Sequence, residues 1–177
     1  MMATQYNRGS LNISLMNPLL KAFIDLCLFR SGPQDLPSSS WLRNASLAGY
    51  FLVSFGLSLS IEPFASAIKA VTLDTFFLLL LAVVPLMLLK KPERINQTLT
   101  AIYGSGILFN LALAPFAVMY VLGGNQADPL LATAITMVGL WNLAVLGNII
   151  RYALNLPLIA GITIAITYLA ISSQITH

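Results

Sequence analysis

The chain has 177 residues, of which 58% are hydrophobic and 8% charged, with a formal net charge of +3. Soluble domains carry about 25% charged residues, and a chain this small has too little interior to hide so much apolar surface. A mean hydropathy of +0.84 excludes a small water-soluble globule and makes the bilayer the natural solvent. Its nine Lys and Arg lie scattered among apolar runs and form no phosphate-binding face, so no nucleic-acid partner is expected. Cys27 is the single cysteine, which excludes an intramolecular disulfide and a multi-cysteine metal site.

In chain order, the first predicted element is a helix over NPLLKAFIDLCLFR (17–30). Asn17 suits the N-cap and Pro18 the first helical turn. Lys21 and Asp25 share one narrow face and apolar residues cover the rest. A charged pair inside the apolar stretch argues against a secretory signal. The segment is too short and too charged to span, and it reads as an amphipathic helix lying in the membrane interface. FRSGPQDLPSSSWLR (29–43) follows, the most polar stretch of the chain. Its Gly and Pro residues make a turn, and Trp41 and Arg43 suit an interfacial anchor. Arg30, Gly32, Pro33, Gln34, Asp35 and Pro37 make either a plain connector or a docking loop for a partner.

Five apolar runs come next: 45–61, 75–89, 99–122, 130–150 and 154–172. A crossing needs about 20 mainly apolar residues; the second run is short unless it begins near Ala70, which would put Asp74 at an interface. The predicted fold is all-α: a polytopic bundle of five transmembrane helices (45–177) behind a cytoplasmic or interfacial segment (1–44). The basic residues agree. With the N-terminus inside, Arg8, Lys21, Arg30, Arg43, Lys90, Lys91, Arg94 and Arg151 fall on the cytoplasmic side and Lys69 alone on the other, the asymmetry the positive-inside rule expects. The C-terminus then lies outside.

Chemistry is narrowed by what is missing. His177 is the single histidine, so a Ser-His-Asp or Cys-His arrangement would need a base at the last residue. Histidine-ligated zinc or haem is excluded on the same ground. Asp25, Asp35, Glu62, Asp74, Glu93 and Asp128 are all expected at interfaces or in loops. No catalytic residue, cofactor or metal site is predicted, and the chain reads as no enzyme. The sequons at Asn12, Asn44 and Asn96 fall on the predicted cytoplasmic side and carry no message.

Polar groups inside the spans are the better lead, because hydrocarbon penalises them unless a partner satisfies them. Asn110 and Asn142 lie deep in the third and fourth spans. Asn148, Arg151 and Asn155 recur at three and four residues and are expected on one helical face. They serve either interhelical hydrogen bonds or a polar path. Ala45, Gly49, Gly56 and Ser60 form a small-residue stripe on the first span, and no internal repeat is evident.

LFRSGPQDLP (28–37) and WNLAVLGNIIRYAL (141–154) resemble segments of small proteobacterial inner-membrane proteins, and the overall layout resembles Yip1-domain-like membrane proteins. The resemblance implies a bacterial inner-membrane location and a role in membrane organisation. Where the second motif is associated with histidines, this chain has Asn148 and Tyr152, so no histidine-based role carries over. Two functions are expected. One is a structural or adaptor protein contacting lipids, other membrane proteins or itself. The other is a small oligomeric carrier or channel for a small solute, for which an intramembrane carboxylate would be the natural companion.

Overall fold

The computed structural model describes residues 8–123 and 128–176, with side chains described for 18–123 and 128–172. His177 and the side chains of Arg8 and Asn12 lie outside them. The described residues are all-helical: α1 (Arg8–Cys27), α2 (Ser40–Leu59), α3 (Phe64–Leu88), α4 (Ile95–Leu122), α5 (Pro129–Leu154) and α6 (Leu158–Thr176), with 3-10 turns at Pro33–Asp35 and Pro92–Arg94. By length and composition α3, Pro92–Leu122 and α5 are long and apolar enough to cross a bilayer, while Leu158–Ser172 is apolar but shorter.

Helix ends follow local chemistry, and three differ from expectation. First, α1 begins at Arg8 instead of Asn17 and carries Pro18 in its interior. Second, α3 begins at Phe64, behind Pro63, whose carbonyl accepts from Ala67 N at 2.9 Å. Ala65, Ala67, Lys69 and Ala70 are good helix formers, so the helix runs on upstream of the apolar run. The third difference is Asn155. It leaves the helical face predicted with Asn148 and Arg151 and ends α5 in the left-handed region, φ 60°, a conformation a short polar side chain tolerates.

From α2 onward consecutive helices alternate in direction, and α4 occupies the centre against α1, α2, α3 and α5. Helices α2 and α4 run parallel: Arg43 meets Asn96 (2.8 Å), Tyr50 lies 5.4 Å from Tyr103 between ring centroids, and Asn110 meets Ser54 (2.7 Å). At the α5–α6 crossing, a Cβ on Gly161 would lie 2.4 Å from the Gly147 carbonyl oxygen. Only a residue without one allows that approach.

Arg43, Lys90, Lys91, Arg94 and Arg151 gather at one end of the bundle. Lys91 donates to Leu154 O (3.3 Å), and Arg94 donates to Ala153 O (3.2 Å) and Asn155 Oδ1 (3.0 Å). Both thus meet the open carbonyls at the C-terminus of α5, where a helix favours positive charge. Arg151 lies over the Tyr152 ring, 4.6 Å from its centroid, and Lys69 is near the opposite end of the bundle. The two ends also differ in packing. Leu86, Leu99, Ile149, Ile150, Ala153 and Leu154 close a dense core at the basic end. Toward the Lys69 end the helices expose apolar side chains such as Met119, Leu122, Leu130 and Met137.

The loop read as a connector or a docking surface is stitched down. Gly32, Pro33 and Leu36 are buried, Gln97 Nε2 donates to Leu36 O (2.9 Å), and Gly32 N donates to Asp35 Oδ2 (2.8 Å). Gln34, Asp35 and Pro37 stay exposed, and Arg30 is 70% exposed in a long 3.9 Å pair with Asp25. The end of α1 leans on the flank of the bundle. Phe23 occupies the space a Gly104 side chain would need, and Trp141 Nε1 donates to Cys27 O (3.0 Å). Burial pushes the Cys27 thiol up to about 11, so at neutral pH it is an unreactive thiol.

Candidate functional site

Asp74 is the residue whose place differs most from expectation. Because α3 starts at Phe64, Asp74 lies about 15 Å along the helix from that end and about 21 Å from Leu88, at 1.5 Å per residue. It is mid-bundle, not at an interface. Tyr50, Asn110, Asn142 and Tyr168 fall near the midpoints of α2, α4, α5 and α6, so five helices contribute to one polar layer.

Contacts within that layer are specific. Tyr50 Oη donates to Asp74 Oδ2 at 2.5 Å, and Tyr168 Oη donates to Asp74 Oδ1. Asn110 Nδ2 donates to Ser54 Oγ at 2.7 Å, one turn along α2 from Tyr50. Helices α2 and α6 thus hold the carboxylate on α3 from two sides, and α4 is tied to α2 beside it. Tyr103 Oη donates to Thr75 O at 3.0 Å and braces the α3 backbone beside Asp74. Thr75 Oγ1 is buried with no hydrogen-bond partner.

Two cavities meet at Asp74. One, about 220 Å³, is lined by Tyr50, Ser54, Leu57, Ser58, Ala70, Val71, Asp74 and Asn110. Its walls lead toward the Lys69 end. The other, about 180 Å³, includes Tyr50, Asp74, Ser105, Asn142, Tyr168 and Ser172. Toward the basic end Leu78, Ile102 and Leu146 begin the dense core. The carboxylate is thus approachable from one end and sealed from the other. Among the described residues no Lys or Arg forms an ion pair with Asp74, and no group of three or more His, Cys, Asp or Glu could hold a metal.

The predicted polar residues separate into two sets. Asn110 and Asn142 join the Asp74 layer. Asn148, buried at 4% exposure, lies in the packed half, and Arg151 and Asn155 belong to the basic end. Tyr50, Tyr103 and Tyr168 were not singled out in the sequence, and Asp74 was expected at an interface. Tyrosine favours membrane interfaces, and a tyrosine in mid-span needs a partner for its hydroxyl. Tyr50, five residues into the 45–61 run, and Tyr168, four from the end of the 154–172 run, read as interfacial tyrosines, so their depth was not legible. Compared with family models, with curated proteins and with solved structures, the chain shows no significant match.

Proposed function

We propose that the chain is a polytopic membrane protein of five crossings, α2 to α6, and that its bundle works as a small carrier in which Asp74 accepts cationic charge. The observation that carries this reading is the carboxylate at mid-bundle, held by two tyrosines, lined by two cavities and, among the described residues, lacking a basic partner. Insertion scales put a charge at the centre of a crossing helix at about 2.5–3.5 kcal/mol. The two tyrosine hydrogen bonds offset part of that cost, and intramembrane carboxylates mark ion and proton paths. The charge asymmetry supports a cytoplasmic basic end, and the resemblance of 28–37 and 141–154 supports a bacterial inner membrane.

The test uses the purified chain in phosphatidylcholine–phosphatidylglycerol vesicles loaded with a pH indicator, the potential being clamped with potassium and valinomycin. After a pH step, wild-type vesicles should relax faster than those carrying Asp74→Asn by about tenfold, a barrier change of about 1.4 kcal/mol. Equal rates would remove the carrier reading. The adaptor reading is favoured by a different observation, the exposed apolar faces of α4 and α5 near the Lys69 end. It calls for membrane partners recovered by crosslinking, unchanged by Asp74→Asn.

A further inference from the structure

The Asp74 cavity does not end at the polar layer. Asn142, Leu146, Tyr168 and Leu169 line it and also line a second space of about 340 Å³ between α5 and α6. The rest of that groove is Thr136, Gly139, Leu140 and Leu143. Leu140 is 60% and Leu169 51% exposed, so the groove opens sideways, on the flank that lipid would cover in a spanning bundle. A small charged compartment and a larger apolar one thus share a wall of four side chains.

Resting on the carrier reading, we infer that this pair of compartments binds an amphiphilic organic monocation, an ammonium head with a hydrocarbon part, entering from the membrane between α5 and α6. Charge and shape both select it. One carboxylate without a basic neighbour complements one positive charge. Calcium or magnesium requires about six or more oxygen ligands, whereas this site offers a single carboxylate whose two oxygens already accept from tyrosines. A diffuse ammonium makes no such demand, and Tyr50 and Tyr168 line the cavity with aromatic surface that attracts it. The apolar groove then takes the hydrocarbon part, which a bare inorganic ion lacks.

The experiment is calorimetric titration of the purified chain in dodecyl maltoside with benzyltrimethylammonium, tetramethylammonium (head alone) and the uncharged isostere neopentylbenzene. Wild type should bind benzyltrimethylammonium about tenfold more tightly than tetramethylammonium, and Asp74→Asn should weaken the former about tenfold while leaving neopentylbenzene unchanged. Leu143→Trp, which fills the groove away from the carboxylate, should weaken benzyltrimethylammonium and spare tetramethylammonium. This variant keeps the test decisive if Asp74→Asn fails to fold. Equal affinity of wild type and Asp74→Asn, or of the two ammonium ions, would overturn the inference. If Asp74→Asn still slows the vesicle pH relaxation, the ligand assignment fails and the carrier reading stands.

Discussion

Removing the two hydroxyls that hold Asp74, Tyr50→Phe together with Tyr168→Phe, should lower the unfolding free energy by about 3 kcal/mol, and only while the carboxylate is present. A hydrogen bond to a charged group contributes about 1.5–3 kcal/mol, against about 0.6 for an average polar pair between membrane helices. The higher range applies because these hydroxyls accompany a carboxylate with no basic partner. In an Asp74→Leu background the same two substitutions should cost under about 1 kcal/mol, a coupling of about 2 kcal/mol in a double-mutant cycle. Unfolding in mixed micelles titrated with sodium dodecyl sulfate reads all four states. Equal costs in both backgrounds would make the tyrosines ordinary packing residues.

A comparable loss is expected where α5 and α6 cross. Gly161→Ala adds a methyl group 2.4 Å from the Gly147 carbonyl oxygen and 3.2 Å from Arg151 N. Backbone atoms cannot rotate away as a side-chain tip would. The helices are joined through Asn155, Leu156 and Pro157, so neither can slide. Overpacking of this kind costs about 1–3 kcal/mol, and the upper part of that range is expected. Gly139→Ala, on the same α5, meets nothing within 4 Å and should stabilise the helix by about 0.5–1 kcal/mol. The same micelle titration separates them; a mild Gly161→Ala would mean that the crossing is looser than its geometry.

These sites also mark where the sequence was legible. Apolar runs announced the all-helical fold and the positions of α4, α5 and α6 within a few residues, because length and hydropathy alone decide those elements. Arg43, Lys90, Lys91, Arg94 and Arg151 announced a common end and Lys69 the other, since each lies between apolar runs. Asp74 was misread because hydropathy begins α3 where leucines begin. Backbone propensity begins it at Phe64, and Asp74 does not interrupt the helix because Tyr50 and Tyr168 on neighbouring helices supply its partners. Asn155 was misread for a related reason. Three- and four-residue spacing implies a shared face only while the helix continues, and here it stops one residue earlier. The stitched loop at Gly32 to Leu36 depends on Gln97, a partner far away in sequence.

The most direct measurement is the reaction of a cysteine at position 74 (Asp74→Cys in a Cys27→Ser background) with a membrane-impermeant cationic methanethiosulfonate, added to either face of sealed vesicles. Modification from the Lys69 face, slower than that of Lys69→Cys, with none from the face that holds Lys90 and Arg94, is the expected result. Reaction from the Lys90 face, or a rate equal to that of Lys69→Cys, would contradict a carboxylate held at mid-membrane and reached from one end.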